Sequence, residues 1–306
     1  MKIVNCALKF SIQKMTKIKN LLFVAIFSIL VFACSDTNTG FADNFDHAAQ
    51  ALIDNDSIVK YLTNHYYDSS VDSIKPIETG KTALIDDVNL KTQDITENEI
   101  DYKLYYYIVS QGSPDPVKGY PTVMDSVLTK YQGRQMTGTD LVEVFETQNS
   151  ATWFTLDGVV SGFSHGFTHF KGGKNITGNG PITYENTSKG YLFFPSGLGY
   201  KNTQSGSVAP NKPLIFKIEL LDIVEDTDHD NDGLMSILEI EDASVQSDPR
   251  QVDTDGDFRA NYIDADDDGD GTPTIKEDAN GDGDPRNDFS DPDNPTLPDY
   301  LNPRIK

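Results

Sequence analysis

The segment Tyr191–Val224 reads YLFFPSGLGYKNTQSGSVAPNKPLIFKIELLDIV, two apolar runs joined by a loop rich in Gly, Ser, Asn and Pro. From Leu214 to Leu220 the apolar side chains occupy every second position, which predicts a strand with one buried face. The connecting loop is too long for a simple hairpin, and irregular connections of this length usually carry function. The segment therefore predicts strand, long loop, strand. Either a functional loop or a disordered hairpin tip fits this pattern.

A resemblance to a known family begins in this segment and continues upstream. PSGLGY (195–200) and VAPNKPLIFKIELLDI (208–223) resemble the C-terminal half of FKBP-type peptidyl-prolyl isomerases. VLTKYQG (127–133) and VFET (144–147) resemble two of the family's strands, and VVSGFSHGFTHFKGG (159–173) resembles its single helix. The four segments follow one another in the family's order, and together they cover roughly residues 98 to 224.

The implied fold is α+β, with a curled antiparallel sheet wrapped around one helix. Alternating apolar residues predict strands over 100–109, 126–131, 141–145 and 152–156 before the helix. On the helix Val160, Phe163, Phe167 and Phe170 form one apolar stripe, which places Ser164 and His165 on the solvated side.

The activity implied by the resemblance is prolyl cis–trans isomerisation of unfolded or extended polypeptides that contain proline. The barrier to X-Pro rotation is about 20 kcal/mol, and an apolar aromatic pocket lowers it by binding the twisted amide in preference to the planar one. Catalysis requires no cofactor. The pocket residues implied by the resemblance are Tyr131, Phe145, Glu146, Phe154, Val159, Val160, Phe163, Tyr200, Val208 and Phe216. The backbone N–H of Val160 is expected to hold a substrate carbonyl.

Two residues depart from the family pattern. Glu146 stands where the family has Asp, and Phe163 stands where it usually has Trp. A module that binds extended chains without turning them over therefore remains the alternative function.

Two other motifs lie on the predicted helix. Gly162-Phe-Ser164-His-Gly166 matches the nucleophile elbow of serine hydrolases, but that motif needs a parallel sheet, and no βαβ alternation exists here. His165 and His169 are four residues apart and could share a metal, yet no Glu lies between them as in an H-E-x-x-H site. A solvated helix face is the simpler interpretation.

The acidity of the chain is concentrated at its C-terminal end. The formal charge is −23, and residues 225–306 hold 25 Asp and Glu against 6 Lys and Arg, a net charge of −19. Nucleic acid is therefore excluded as a partner, and cations are favoured.

Four short acidic loops occupy this region. The loop that starts at Asp228 and the loop that starts at Asp266 fit the calcium-loop pattern D-x-[DN]-x-[DN]-G-x5-E, whereas the loop at Asp253 has Phe258 at the Gly position and the loop at Asp278 is incomplete. The predicted ligands are Asp228, Asp230, Asp232, Leu234 and Glu239 in the first loop, Asp253, Asp255, Asp257 and Asp264 in the second, Asp266, Asp268, Asp270, Thr272 and Glu277 in the third, and Asp278, Asn280 and Asp282 in the fourth.

The last three loops start 13 and 12 residues apart, which leaves no room for EF-hand helices. The array resembles thrombospondin type 3 repeats, which implies that Ca²⁺ has a structural role. Because the predicted pocket uses no metal, the sequence predicts that EDTA unfolds the array and leaves catalysis intact. A disordered acidic tail is the alternative.

The N-terminus resembles a bacterial lipoprotein signal. Lysines precede the apolar run LLFVAIFSILVFAC (21–34), which is too short to span a bilayer in the usual way. Cleavage before Cys34 would remove Cys6 and leave 306 − 33 = 273 residues with a single lipidated Cys, which excludes a disulfide framework. An uncleaved anchor followed by a buried Cys is the alternative, and Met15 is a possible start.

The sequence thus predicts four regions: a signal peptide (1–33), a tether with a short helical region (34–97), an isomerase-like domain (98–224) and acidic calcium-binding repeats (225–306). In the second region, Ala48, Ala49, Leu52 and Ile53 predict one helical face, and Asp56 predicts the cap of a second helix. The predicted location is the cell envelope of a bacterium, where lipidated Cys34 attaches the chain to a membrane.

Overall fold

The computed structural model describes residues 43–138, 140–241 and 249–306. Asp46–Lys306 form one compact unit. The predicted signal peptide and Cys34 lie outside the described residues. Within the described ranges, no helix combines the length and the apolar character needed to cross a membrane.

The regular elements are three α-helices and ten strands in the described part of the chain. In chain order they are α1 His47–Asn64, β1 His65–Asp68, β2 Ser73–Pro76, β3 Leu90–Glu97, β4 Ile100–Ser110, β5 Ser126–Met136, β6 Val142–Thr155, α2 Ser161–Phe167, β7 Lys174–Asn175, β8 Tyr184–Glu185, β9 Ser188–Phe194, β10 Leu214–Val224 and α3 Ser236–Glu241. Beyond α3, the acidic region has only single 3₁₀ turns in its described part.

The predicted antiparallel sheet with few helices is confirmed. Six strands pair in the order β3-β4-β9-β10-β5-β6, and every pairing is antiparallel. The two short strands predicted over 141–145 and 152–156 are one continuous strand, β6. The intervening QNSA sequence is polar, but β6 is an edge strand, so its solvated side tolerates polar residues. The helix is shorter than predicted and ends at Phe167.

Both faces of the sheet are buried, which corrects the prediction of one buried face for β10. Leu214, Phe216 and Ile218 face a cluster that includes the aromatic rings of α2. The alternate residue Ile215 faces a second cluster built from Tyr105, Phe193 and the apolar side of α1. The central strands therefore lie between two helices, and α1 is an integral layer of the domain.

Helix α1 differs from its predicted form in two respects. It is a single helix capped by Asp46, whose carboxylate accepts a hydrogen bond from Ala49 N at 2.9 Å, and Asp56 is exposed within it. Leu52 and Ile53, predicted on the apolar face, are exposed. The buried residues of α1 are Ala51, Asp54, Ile58, Tyr61 and Leu62. The apolar pattern alone does not identify the buried face of α1, because Asp54 is one of the buried residues.

Asp54 joins α1 to the segment that follows β9. Its carboxylate, in a residue only 1% exposed, accepts hydrogen bonds from Ser196 N at 2.7 Å, Ser196 Oγ at 2.5 Å and Gln50 Nε2 at 2.7 Å. Burial raises the pKa of Asp54, while the bonds from Ser196 and Gln50 oppose that rise. The segment after Ser196 leads directly to Tyr200, so this contact fixes one wall of the site described below.

We expect Asp54→Ala to lower the free energy of unfolding by about 1–3 kcal/mol, because it leaves the buried Ser196 N–H without an acceptor. Asp56→Ala is the matched control, since the same change on an exposed position of the same helix should stay within about 0.5 kcal/mol. Urea denaturation followed by circular dichroism measures both. Equal losses for the two variants would contradict the proposed anchoring role of Asp54.

Candidate functional site

An apolar cavity of about 240 Å³ opens between α2, β5, β6 and β10. Eight of the ten pocket residues implied by the sequence resemblance line it, together with Gly158: Tyr131, Glu146, Phe154, Val159, Val160, Phe163, Tyr200 and Phe216. The other two lie beside it. Phe145 packs on Phe216 with ring centroids 5.7 Å apart, and Val208 is buried in the adjoining core.

Three rings from three elements form the floor and wall of this cavity. The centroid of Phe163 on α2 is 5.6 Å from that of Tyr131 on β5 and 5.0 Å from that of Phe216 on β10. Tyr131 and Phe216 are themselves 5.8 Å apart. Such tilted and edge-on contacts are favourable for aromatic pairs, so the rings hold one another in place.

Two glycines on α2 explain the close approach of the helix to the sheet. A Cβ on Gly162 would lie 2.3 Å from the ring of Phe194, and a Cβ on Gly166 would lie 2.4 Å from the side chain of Leu192. These glycines let Phe163 reach the centre of the cavity.

The nucleophile-elbow interpretation of the same residues is wrong. Ser164 is buried, where the sequence pattern predicted a solvated position, and its hydroxyl donates to Val123 O at 3.4 Å. The structure also argues against a metal shared by the two histidines. His169 stacks on Tyr106 with ring centroids 3.8 Å apart, and its Nε2 lies 2.8 Å from Gln93 Oε1.

The polar side chains that line the cavity are Tyr131, Glu146 and Tyr200. Burial, and then the carboxylate of Glu146, raise the pKa of the Tyr131 hydroxyl, and the same two causes raise the pKa of Tyr200. Both hydroxyls therefore remain protonated donors at neutral pH. Val160 precedes the first turn of α2 and its carbonyl accepts from Phe163 N, whereas its own N–H lies outside the hydrogen bonds of the helix.

This arrangement has the properties that rotation about an amide bond requires. An apolar cavity excludes water from a proline ring, and rim donors can hold a peptide carbonyl. Among the described residues that line the cavity, none is a nucleophile paired with a base. The geometry favours binding of a strained conformer over covalent chemistry.

The acidic region forms a second candidate site. Among the described residues, four groups of carboxylates have oxygens within 4.8 Å of one another: Asp228 with Asp230 and Asp232, Asp253 with Asp255 and Asp257, Asp266 with Asp268 and Asp270, and Asp232 with Glu239 and Asp267. Each of the four loops has the same local fold, in which the first Asp accepts a hydrogen bond from the backbone N five residues later.

The group Asp232, Glu239 and Asp267 is unlike an exposed acidic patch. Glu239 and Asp267 are each 2% exposed, and both carboxylate oxygens of each have no hydrogen-bond partner among the described residues. Burial and neighbouring carboxylates raise the pKa of Glu239 and of Asp267 to about 9 in the absence of an ion. Burying a carboxylate that has no hydrogen-bond donor costs free energy unless the carboxylate coordinates a cation.

Sequence reasoning missed Asp267, which occupies the second position of the third loop, a position that the calcium-loop pattern leaves free. The fold brings it to Asp232 and Glu239 of the first loop. Its only sequence signal was the unbroken run Asp266-Asp267-Asp268.

Other predicted ligands stand apart from these groups. Asp264 lies 3.5 Å from Arg259 Nη1 and is not in the group formed by Asp253, Asp255 and Asp257. Glu277 is buried with both carboxylate oxygens unpartnered among the described residues, and burial followed by Asp268 raises its pKa to about 8. In the fourth loop, Asp278 accepts from Gly283 N, and Asn280 accepts from Asp282 N.

Comparison with known proteins gives similarity over part of the chain. No family profile matches the sequence. Over 120 residues, 39% of this chain, it is 29% identical to the FKBP-type peptidyl-prolyl cis-trans isomerase FkpA of Escherichia coli strain K12, and equally to that of Escherichia coli O157:H7. The matched part spans 37% of the length of those relatives.

Two solved structures are also similar. The crystal structure of FkpA from Escherichia coli matches 45% of this chain and 53% of its own, with 25% identity and a TM-score of 0.34. A peptidyl-prolyl cis-trans isomerase from Pseudomonas syringae pv. tomato matches 40% of this chain and 76% of its own, with 24% identity and a TM-score of 0.31.

Proposed function

We propose that this chain is a peptidyl-prolyl cis-trans isomerase of the FKBP type that assists the folding of proline-containing polypeptides. The observation that carries the proposal is the aromatic cavity, which gathers eight residues named from sequence resemblance alone. The partial similarity to FkpA supports the same conclusion.

The mechanism requires neither proton transfer nor a covalent intermediate. The proline ring enters between Tyr131, Phe163 and Phe216. The backbone N–H of Val160 donates a hydrogen bond to a substrate carbonyl. The twisted amide has less charge separation than the planar amide, so an apolar cavity binds the twisted form more tightly and lowers the rotational barrier. The phenolic hydroxyl of Tyr131 is hydrogen-bonded to the carboxylate of Glu146, which leaves the hydroxyl of Tyr200 and the N–H of Val160 as the donors for the substrate.

A protease-coupled assay on the full chain tests this proposal with a blocked Ala-Leu-Pro-Phe p-nitroanilide as substrate. We expect the cis peptide to disappear faster than its uncatalysed rate, in proportion to protein concentration. Peptide binding without acceleration would contradict catalysis and support the non-catalytic binding module. Glu146→Asp then tests whether the departure from the family pattern limits turnover.

We further propose that the acidic loops bind structural Ca²⁺. The support is chemical, since hard oxygen donors suit Ca²⁺ and the buried oxygens of Asp232, Glu239 and Asp267 have no other described partner. Bound Ca²⁺ would supply positive charge that offsets the repulsion between these carboxylates. The remaining proposed ligands are those of the four loops given above.

Binding isotherms with CaCl₂ and metal analysis after dialysis test the calcium proposal. We expect affinity in the range of extracellular modules, on the order of 10⁻⁴ to 10⁻³ M. Asp267→Asn should lower the number of bound ions by one if this residue joins the first loop to the third. An unchanged stoichiometry would contradict that role.

We also propose attachment to a membrane of the bacterial envelope through lipidated Cys34. The support is sequence alone, because the apolar run stops at this residue. Metabolic labelling with a palmitate analogue should mark the wild-type chain, and Cys34→Ser should abolish the label. Equal labelling of both chains would contradict lipidation at this position.

A further inference from the structure

The acidic region contacts the segment that carries one wall of the cavity. Arg250 Nη1 donates to Asp157 O at 3.1 Å, and His229 Nε2 lies 3.7 Å from Asp157 Oδ1. Asp157 immediately precedes Gly158, Val159 and Val160, which line the cavity. The contact is therefore one residue away from the proposed substrate site.

His229 is held by the first loop, between Asp228 and Asp230. Its Nδ1 lies 2.9 Å from Ser236 Oγ, and its backbone N donates to the same oxygen at 3.1 Å. The ring also meets Tyr262 edge-on, with centroids 5.5 Å apart. The position of the imidazole therefore depends on the conformation of the loop.

The two facing atoms of the Asp157–His229 pair are buried, although both side chains are partly exposed. Neither Asp157 Oδ1 nor His229 Nε2 has a hydrogen-bond partner among the described residues, and the two atoms lie 3.7 Å apart. Loss of loop order would expose Asp157 to water and release its constraint on the following residues.

A second connection reaches the same segment through Asp125. The carboxylate of Asp125 accepts from Thr227 N at 3.1 Å, and its carbonyl accepts from Leu156 N at 2.9 Å. Leu156 and Asp157, the first two residues of the turn that leads into the cavity, are thus both connected to the acidic region.

We propose that Asp157 is a positioning residue that couples cation binding in the first loop to the affinity of the cavity for prolyl peptides. An ordered first loop presents His229 to Asp157 and fixes Gly158–Val160, so the Val160 N–H is preorganised for a substrate carbonyl. This inference rests on the proposed function. It replaces the expectation from sequence that EDTA leaves the core unaffected.

Calorimetric titration of the full chain with the blocked Ala-Leu-Pro-Phe anilide tests the coupling. We expect peptide affinity to fall roughly five- to twentyfold when CaCl₂ is replaced by EDTA, within the usual range of coupling between sites. By reciprocity the peptide must raise Ca²⁺ affinity by the same factor, a readout that does not depend on catalysis. Hydrogen exchange of residues 156–160 should slow on addition of Ca²⁺.

Variants of the two contacting residues test whether the coupling passes through the Asp157–His229 contact. Asp157→Ala and His229→Ala should each remove most of the calcium dependence of peptide affinity, and the double variant should remove no more than either alone. Asp157→Asn, which keeps an oxygen acceptor, should restore part of the dependence. Glu225→Gln is the control, since Glu225 accepts from Gly119 N at an exposed contact that does not involve Asp157.

Each outcome has a defined meaning. Equal, measurable peptide affinity in CaCl₂ and EDTA overturns the coupling and leaves the isomerase proposal standing. Calcium dependence that persists in both Asp157→Ala and His229→Ala overturns the role of Asp157. Absence of peptide binding under both conditions overturns the proposed function and this inference with it.

Discussion

Phe154→Ala is expected to lower kcat/KM for X-Pro isomerisation by about 10- to 100-fold. The ring of Phe154 stands edge-on to Tyr131, with centroids 5.8 Å apart, and contributes a wall of the cavity. A buried Phe side chain contributes about 1.5–3 kcal/mol of apolar binding, and about 1.4 kcal/mol corresponds to a factor of ten in rate. The protease-coupled assay on the full chain measures the change.

Trp153→Ala provides a matched control for this prediction. Trp153 is the neighbour of Phe154 on β6, so its side chain points to the opposite face of the strand, and it is 47% exposed. We expect its kcat/KM to stay within about twofold of wild type, as for other surface substitutions. Similar losses in both variants would indicate general damage to β6, and no loss in Phe154→Ala would contradict the proposed site.

Glu239→Gln is expected to change stability in opposite directions with and without calcium. In EDTA at pH 7 the variant should melt at a higher temperature than wild type, because burial and the neighbouring carboxylates raise the pKa of Glu239 to about 9, so wild-type folding requires uptake of a proton that Gln does not need. In CaCl₂ it should bind the ion about 10²–10³-fold more weakly, in line with the cost of removing one partner of a buried charge pair. Differential scanning calorimetry and calcium titration measure the two effects.

Asp293→Asn serves as the control for charge alone. Asp293 is exposed and belongs to none of the carboxylate groups in the described residues, yet the substitution changes the net charge by the same amount. Its melting temperature should shift little in either condition. A destabilised Glu239→Gln variant in EDTA, or unchanged calcium affinity, would contradict the assignment of Glu239 to a cation site.

Most of the residues named from the sequence line one cavity, because they lie in short segments with recognisable order. Tyr131, Phe163 and Phe216 come from three separate segments, and the antiparallel register brings them together. The β10 prediction failed only in its second face, since Ile215 appeared as an ordinary apolar residue between Leu214 and Phe216. The pattern of a strand does not indicate that a helix far earlier in the sequence, α1, covers Ile215.

Polar residues with buried roles were the main source of error. Asp54 breaks the apolar periodicity of α1, so the pattern assigned Leu52 and Ile53 to the buried face. Asp267 lies at a position that the calcium-loop pattern leaves free, and only the fold of two loops against each other places it beside Glu239. In both cases the burial of a carboxylate depends on a partner that is distant in sequence.

The two central strands of the sheet, β9 and β10, are also the last two strands of the sheet to be synthesised. The pairs β3–β4 and β5–β6 join strands that are adjacent in the sequence and can form as local hairpins. These two hairpins are joined into one sheet by β9, which pairs with β4, and by β10, which pairs with β5 and with β9. The edge of β4 stays unpaired until β9 has been synthesised, and the edge of β5 stays unpaired until β10 has been synthesised; such edges template association with other chains. Pairings so distant in sequence also form slowly. We therefore expect sheet closure to be a late event, so that a chain interrupted before β9 is left as two aggregation-prone hairpins.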